Sequence, residues 1–306
     1  MHRNRLTIVL YHGVAPKRDQ GIYNYIGKFI EPQAFEAQLM YFTKHYAILP
    51  LDEATERLNR GTLPQYALAI TFDDGYRNFY EHAYPLLKKH RIPATMFLAS
   101  DFVLDKKPLW VDRLEYVSGL GNGSKSEKIR QDFSIRTELK KLDARERERR
   151  LQQTEERAES ALRDFSGDRS VYAPLSLEEI REMRGNGIAF GAHTKSHPIL
   201  SRTLEDAASD EIRGSKEVLE QSIGKISRVF AYPNGQLDDW NEEIERIVGD
   251  AGFNSALTTI EGTNGRSTHP MRLKRMALDA TDAGPGFAVI VSGVRRWLSK
   301  VRNYAN

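Results

Sequence analysis

Short apolar segments alternate with amphipathic helical segments along most of this 306-residue chain. Three of the apolar segments, Leu6–Leu10, Tyr66–Ile70 and Ala94–Leu98, have the length and composition of buried strands. Between them apolar residues recur at helical spacing, as in the stretch that begins at Pro32, and Ser176–Glu179 has the form of a helix capping box. The alternation predicts a parallel α/β fold, and the length of the chain suits a barrel.

The amino-acid composition is that of a globular protein and argues against several other classes. Hydrophobic residues make up 40% and charged residues 28% of the chain, which is typical of a globular protein, and the net charge is only +3. No run of like charge predicts nucleic-acid binding. The absence of cysteine excludes disulfides and thiolate metal ligands. Because Leu6–Leu10 is too short for a signal-peptide core or a membrane span, we expect a cytoplasmic protein without a transmembrane segment.

Two adjacent carboxylates stand just after the apolar segment Tyr66–Ile70. Asp73 and Asp74 precede Gly75, and an Asp-Asp-Gly sequence alone is typical of a simple turn after a strand. At a strand end that opens into a glycine turn, however, both carboxylates can face one cleft. Carboxylates so close repel each other unless a cation lies between them. The pattern therefore also fits one Asp that binds a metal and one that handles a proton.

Two imidazoles four residues apart follow another apolar segment, Ile188–Phe190. His193 and His197 have a spacing that a pair of surface histidines would also explain. Neutral imidazole is nevertheless a common ligand for zinc and similar cations, and two His with one carboxylate leave coordination positions open for water and substrate. The combination with the two aspartates predicts a metal site.

Three motifs in this chain resemble those of the polysaccharide deacetylases, which share the NodB homology domain and form carbohydrate esterase family 4. The motifs are Thr71–Tyr76, His193–His197 and Phe230–Gly235, in matching order and spacing. The resemblance runs from about Leu6 to Met276. It implies the distorted, incomplete (β/α) barrel of that family, and we expect residues 1–306 to form a single domain of this kind.

Residues 121–170 interrupt the alternation with a highly charged segment. Its apolar residues fall at spacings that suit amphipathic helices with salt-bridged outer faces. We expect a charged helical insertion that packs on the outside of the barrel, and a lid or a partner-binding hairpin is the alternative. Regular alternation then resumes, and the spacing of apolar residues predicts a terminal helix over Phe287–Val301.

The resemblance assigns roles to the motif residues. It implies that Asp74, His193 and His197 hold one divalent metal, zinc in the first place, with cobalt or nickel as alternatives. It also implies that Asp73 is the general base and that the backbone N–H of Tyr232 completes an oxyanion hole.

The chain departs from the commoner family pattern at the general acid. Where many members carry a histidine, this chain reads Met271–Met276 and has none. A subgroup that the chain resembles has Tyr-His at the end of the first strand and is thought to use that histidine. His12 is therefore our candidate for the acid, with His269 as its rival. A structural hydrogen-bonding role in the floor of the site is the alternative for His12.

Further departures concern the arginine that orients the catalytic Asp and the aromatic sugar platform. The family arginine normally lies closer to the motif tyrosine than Arg228 lies to Tyr232. We therefore expect Arg228 to point away from the site, which leaves Arg272 or Arg275 as substitutes. Trp110 could form the sugar platform or pack beneath the insertion. The residues that we predict to contact the substrate are Trp110, Asp112, Tyr232 and Arg275.

These features together predict a metal-dependent hydrolase that removes N-acetyl groups from N-acetylglucosamine-containing oligo- or polysaccharides. Within the family, the chain is similar to the chitooligosaccharide deacetylases. The alternatives are a deacylase of a lipid-linked sugar or a small cyclic amide, and a catalytically inactive carbohydrate-binding relative. The complete set of aspartates and histidines argues against the inactive relative. We expect no nucleic-acid partner, because a basic aromatic surface is missing.

Overall fold

The structure is a computed structural model, and it describes residues 3–17, 22–120, 122–157, 172–278 and 287. Its strands are β1 (Thr7–Tyr11), β2 (Gly13–Val14), β3 (Phe29–Ile30), β4 (Ala47–Ile48), β5 (Ala67–Phe72), β6 (Ala94–Leu98), β7 (Ile188–Ala192), β8 (Val229–Ala231), β9 (Ser255–Glu261) and β10 (Leu273–Ala277). Its α-helices are α1 (Pro32–His45), α2 (Leu51–Arg60), α3 (Tyr84–His90), α4 (Ser100–Leu104), α5 (Trp110–Leu120), α6 (Lys125–Leu139), α7 (Ala144–Arg157), α8 (Leu177–Arg184), α9 (Glu205–Ser209), α10 (Ser215–Ile223) and α11 (Glu242–Asp250). Turns of π-helix over Phe79–Ala83 and Asp210–Gly214 run directly into α3 and α10.

Parallel strands form a barrel-like sheet. Neighbours pair in the order β1, β10, β9, β8, β7, β6 and β5, and β5 pairs back onto β1, which closes the ring. The short β4 pairs with β5 only at the start of that strand. Because parallel neighbours need crossover connections, the helices lie between consecutive strands and cover the outer face of the sheet. The predicted distorted and incomplete (β/α) barrel is confirmed.

Alternating side chains separate the inside of the barrel from its outside. Ile8, Ala67 and Ala69 belong to an inner apolar cluster, whereas the intervening Val9 and Leu68 pack in the outer core. This is the period of two expected for strands whose faces are both buried. Leu51, Ala54 and Leu58 from one face of α2 join the inner cluster, so α2 closes the end of the barrel at which the strands begin.

The outer core lies between the sheet and the surrounding helices. Phe35, Leu39 and Phe42 follow helical spacing on α1 and are fully buried against the sheet. Burial of each such side chain contributes roughly 1.5–3 kcal/mol relative to exposure. Pro32 stands at the first position of α1, where its missing N–H costs nothing.

The helical insertion packs on α5. Trp110 and Leu114 of α5 form a separate apolar cluster with Leu139 of α6 and Leu151 of α7. Arg113 reinforces it with ion pairs to Glu148 and Glu155 of α7. Helices are present at 125–139 and 144–157, as expected, and residues 158–170 of the predicted insertion lie outside the described residues.

The predicted terminal helix lies outside the described residues except for Phe287. The assignment of the whole chain to a single domain stays a prediction, as does the cytoplasmic location. Among the helices that the structure describes, none is both long enough and apolar enough to cross a membrane.

Candidate functional site

The polar residues singled out from the sequence lie at the carboxyl ends of the strands. His12 follows β1, Asp73 and Asp74 follow β5, His193 follows β7, and Tyr232 follows β8. Because all these strands are parallel, their carboxyl ends meet at one rim of the barrel. This rim is the place where (β/α) barrels position functional side chains.

Asp74, His193 and His197 form a buried cluster whose donor atoms all lie within 4.8 Å of one another. The Nε2 atoms of both imidazoles are 3.5 Å from Oδ1 of Asp74. His193 is fixed by a 2.7 Å hydrogen bond between its Nδ1 and the carbonyl of Ala231, which leaves Nε2 as the donor atom toward the cluster.

The cluster fits a divalent cation. Oδ1 of Asp74 and Nδ1 of His197 are buried, and neither has a hydrogen-bond partner within the described residues. A buried carboxylate oxygen without a partner is costly unless another group, such as a cation, satisfies it. One carboxylate with two imidazoles is also a donor set that suits zinc and similar ions.

The protonation preferences of the two histidines agree with this assignment. Burial lowers the pKa of His193 and places that of His197 well below its ordinary value, so both imidazoles favour the neutral form that can bind a metal. Burial also raises the pKa of Asp74 to about 6, and the neighbouring charge of Asp73 adds to that effect.

Asp73 has the opposite environment. Its two carboxylate oxygens accept hydrogen bonds from Nη1 and Nη2 of Arg275, at 2.8 and 2.7 Å. Burial alone would raise the pKa of Asp73, but the adjacent guanidinium more than offsets this and holds the pKa at about 2. Arg275 is fully buried and is itself anchored through Nε to the carbonyl of Thr258 at 2.9 Å. Asp73 is therefore a fixed carboxylate that stays ionised at neutral pH.

Backbone strain is concentrated in the same place. Asp74, Thr194 and His197 have φ angles of +78°, +66° and +60°, which non-glycine residues seldom adopt. Gly75 has a φ of +100°, and a Cβ there would lie 2.8 Å from Val103, so the turn after the aspartates requires glycine. The turn at Asp74 directs neighbouring carboxylates to different partners.

Glu211 holds the loop that carries the two histidines. Its Oε2 accepts hydrogen bonds from the backbone N–H groups of Lys195 and Ser196 at 2.8 and 2.9 Å, and its Oε1 accepts one from Oγ of Ser196 at 2.6 Å. Oγ1 of Thr194 accepts a further bond from the N–H of His197 at 3.1 Å. Glu211 lies in the π-helical turn before α10, and π-turns are frequent at functional sites. Our sequence analysis missed Glu211, because nothing in its local sequence links it to the histidines.

His12 lies beside the aspartates, whereas His269, the other candidate for the acid, does not. Burial lowers the pKa of His12, while the nearby charges of Asp74 and Asp73 raise it. His269 is exposed and precedes β10, so it lies at the amino end of that strand, away from the rim that carries the site. Of the two candidates for the acid, only His12 belongs to the site.

The structure gives the backbone N–H of Tyr232 a different partner from the expected oxyanion. Its N–H donates a 3.0 Å hydrogen bond to the carbonyl of Leu257, as part of the pairing between the ends of β8 and β9. The donor is therefore already used, and an oxyanion hole there would compete with the sheet. The side chain of Tyr232 is also fully buried and stacks on Trp240, so it offers no surface to a substrate.

Trp110, Asp112 and Arg275 were predicted to contact the substrate, and the structure places each of them in a buried contact instead. Trp110 is 5% exposed beneath the insertion, and its Nε1 donates a hydrogen bond to the carbonyl of His197 at 3.2 Å. Asp112 is fully buried in an ion pair with Lys28. The donors of Arg275 are committed to protein groups, chiefly Asp73. These residues support the site and do not form its surface.

Among the arginines considered as partners of Asp73, only Arg275 makes that contact. Arg272 pairs with Glu245, its Nε being 2.5 Å from the carboxylate. Arg228 precedes β8 and lines a cavity of about 690 Å³ at the opposite, amino end of the strands. The expectation that Arg228 points away from the site agrees with this position.

Lys28 is a second cation at the site that our sequence analysis missed. Its Nζ donates to Oη of Tyr76 at 3.1 Å and pairs with Asp112, and Oη of Tyr76 donates to Asp112 at 2.6 Å. The charge of Lys28 is close enough to lower the pKa of Asp74, although burial dominates that pKa. Because Tyr76 comes directly after the Asp-Asp-Gly turn, this buried network helps to fix the turn.

Comparison with known proteins gives a consistent result. The sequence profile of the family described as "Polysaccharide deacetylase" matches residues 60–256. YxkH of Bacillus subtilis (strain 168), whose name also carries the words polysaccharide deacetylase, is 21% identical over 293 residues, or 95% of this chain and 77% of that protein. The poly-β-1,6-N-acetyl-D-glucosamine N-deacetylase of Staphylococcus epidermidis is 26% identical over 183 residues, or 53% of this chain and 60% of that enzyme.

A solved structure shows the same fold as this chain. IcaB from Ammonifex degensii superposes with a TM-score of 0.63 at 20% identity, covering 94% of this chain and 97% of that one. The profile match includes the aspartates, the histidines and Tyr232, whereas His12 and Arg275 lie outside it.

Proposed function

The chain belongs to the polysaccharide deacetylase family, and from that premise we propose that it removes N-acetyl groups from N-acetylglucosamine-containing glycans with the help of one divalent metal. The observation that carries the proposal is the buried cluster of Asp74, His193 and His197 beside an ionised Asp73. The relative from Staphylococcus epidermidis, which is named for poly-β-1,6-N-acetyl-D-glucosamine, supports the choice of substrate class.

Asp74, His193 and His197 would hold the metal, with zinc as the first candidate and cobalt or nickel as alternatives. When bound, such a cation polarises a carbonyl and activates a water molecule at neutral pH. The pairing of Asp74 with both Nε2 atoms and the fixed tautomer of His193 supply the ligand arrangement.

Asp73 would accept the proton of the attacking water. Its carboxylate is ionised at neutral pH because Arg275 holds its pKa at about 2. The same bidentate contact fixes the direction of both oxygens, and general-base catalysis depends on that positioning. Arg275 is then a positioning residue that acts through Asp73.

His12 would donate a proton to the amine nitrogen as the C–N bond breaks. Cleavage of the tetrahedral adduct expels an amine, which needs an acid within reach. His12 stands at the end of β1 next to both aspartates, and their charges favour its protonated form, although burial lowers its pKa overall. Hydrolysis thereby releases acetate and leaves a free amino group on the sugar.

A direct test measures acetate release from three glycans, namely poly-β-1,6-N-acetylglucosamine, chitooligosaccharides and peptidoglycan fragments. We expect release from at least one of them, loss of activity after chelation, and recovery on addition of zinc, cobalt or nickel. The His193→Ala variant serves as the inactive control. Absence of acetate from all three glycans with every metal would contradict the proposal.

A further inference from the structure

Arg147 on α7 is a buried cation that has no carboxylate partner among the described residues. Its side chain is only 5% exposed, and its Nη1 is buried with no hydrogen-bond partner among the described residues. In that same part of the chain Arg147 forms no ion pair, although its neighbour Arg149 on the same helix is paired with Glu146. Such a charge is expensive to bury, so its position calls for an explanation.

The ring of Trp110 lies between the guanidinium of Arg147 and the loop that carries the two histidines. Its central carbon is 5.2 Å from the centre of the Trp110 ring, within the range of a cation–π contact. The same indole donates its N–H to the carbonyl of His197. The charge of Arg147 also contributes to lowering the pKa of His197, after burial and the neighbouring His193.

The carboxylates nearest to Arg147 are engaged elsewhere. Oδ1 of Asp143 accepts the backbone N–H of Glu146 at the start of α7. Glu148 pairs with Arg113, and Glu211 holds the backbone of the histidine loop. These carboxylates are close enough to raise the pKa of Arg147, but burial lowers it more strongly. The guanidinium therefore has donor capacity that the described residues do not use.

The charges around the site leave room for an anion. Asp73 is neutralised by Arg275, and Asp112 is neutralised by Lys28. Asp74 is the one carboxylate of the metal cluster, and no cationic side chain among the described residues neutralises it. On the proposed function, a divalent cation would lie against this carboxylate. Arg147 adds a positive charge that is close enough to His197 to lower the pKa of that imidazole.

We propose that Arg147 binds a carboxylate at the edge of the candidate active site. A guanidinium presents parallel donors that match a carboxylate, and the bond is strong where water is largely excluded. Two sources share this chemistry. One is a carboxylate substituent on the sugar, as in a muramic acid residue; the other is the acetate that the proposed reaction releases, and this second source rests on the proposed function.

The test follows ligand binding through the indole N–H signal of Trp110, which lies beneath Arg147. Protein that spans residues 1–306 is treated with a chelator, so that a metal cannot bind the probes, and is titrated with acetate, N-acetylmuramic acid and N-acetylglucosamine. The Trp110→Phe variant identifies the signal. The variants compared with wild type are Arg147→Met, which keeps the apolar stem, and Arg147→Lys, which keeps the charge. Arg149→Met is the matched control on the same helix.

We expect wild type to bind N-acetylmuramic acid, acetate or both, and Arg147→Met to weaken that binding about tenfold or more, since a charge-assisted hydrogen-bonded pair is worth at least that factor. N-acetylglucosamine has no carboxylate, so Arg147→Met should leave its binding unchanged. An effect confined to N-acetylmuramic acid identifies the sugar substituent, and an equal effect on free acetate identifies the product. Arg149→Met should behave as wild type.

The proposal is overturned if Arg147→Met and wild type bind both carboxylates within about twofold, or if wild type binds neither. Thermal unfolding guards against a misfolded variant, because removal of an unpaired buried charge should leave the stability of Arg147→Met equal or higher. Binding is measured without turnover. If the proposed deacetylation were wrong, the acetate-release assay would show it. The binding data for Arg147 could still be interpreted, because they do not depend on turnover.

Discussion

The strand end that carries the two aspartates and the loop that carries the two histidines are held in place by different means. Arg275, buried inside the barrel, fixes Asp73 through a bidentate ion pair. Glu211, half-buried outside the barrel, fixes the histidine loop through its backbone N–H groups. The proton-handling half of the site thus depends on a buried charge pair, and the metal-binding half depends on a loop held in a strained conformation.

Loss of the charge on Asp73 should have the largest effect on turnover. In Asp73→Asn the base is removed, while one side-chain oxygen can still accept a hydrogen bond from Arg275. We expect kcat to fall by about 10²–10⁴-fold, the usual contribution of a positioned proton-transfer group. Steady-state acetate release measures this, with circular dichroism as the control for folding. A variant with kcat within tenfold of wild type would remove Asp73 from the chemistry.

His12→Ala should have the next largest effect, a loss of about 10²-fold in kcat, because the leaving amine loses its acid. Burial lowers the pKa of His12, so the protonated form is lost at a pH below the ordinary imidazole value. The rate of wild type should therefore fall as the pH rises past that lowered pKa, and this limb should be absent from the variant. An unchanged pH–rate profile in His12→Ala would assign the proton to another group.

The histidine loop offers a matched pair of variants. Glu211→Ala removes the acceptor for two backbone N–H groups, whereas Asp210→Ala removes only a side-chain ion pair with Lys195. Loss of a group that orients metal ligands typically costs about 10–100-fold in metal affinity, and we expect that loss in Glu211→Ala alone. Glu211→Gln should restore most of it.

Competition with a chromogenic chelator measures the metal affinity of each loop variant. Equal affinities in Glu211→Ala and Asp210→Ala would show that the loop does not need its backbone contact. The proposal that Glu211 holds the histidine loop in place for metal binding would then be wrong.

The smallest expected effect concerns acid stability. The folded pKa of Asp73, about 2, lies below the value of roughly 3.9 for an unfolded aspartate. The stabilisation is therefore fully present above pH ~4 and is lost as the pH falls toward ~2, with a size of roughly 2–3 kcal/mol. Urea unfolding of wild type and Asp73→Asn, with chelator, should show a difference at pH 6 that shrinks by about that amount near pH 2. If the difference in unfolding free energy between the two proteins were the same at both pH values, the ion pair between Asp73 and Arg275 would not contribute to acid stability.

The positions of the chemical groups could be predicted from the sequence because they depend on local pattern. Each short apolar segment ends where a polar residue follows, and parallel topology brings those ends to one rim. His12, Asp73, Asp74 and His193 all follow strands as expected. The fold class was predictable for the same reason, since strand and helix periodicities alternate along the chain.

The partners of these groups could not be predicted, because they come from distant parts of the chain. Arg275 is 202 residues from Asp73, and Glu211 reaches the histidine loop from a π-helical turn that has no sequence signature. The same limit explains why the residues predicted to contact the substrate lie in buried protein contacts. Whether Trp110 faces solvent or lies beneath an insertion depends on tertiary packing.

The central claim is that adjacent aspartates have separate roles, with Asp74 binding the metal and Asp73 moving the proton. The most direct measurement is the metal content of wild type, His193→Ala, Asp74→Asn and Asp73→Asn after loading with zinc and desalting. The account predicts about one equivalent in wild type and in Asp73→Asn, and loss of the metal from the other two variants. Loss of the metal from Asp73→Asn, or its retention by Asp74→Asn, would contradict the account.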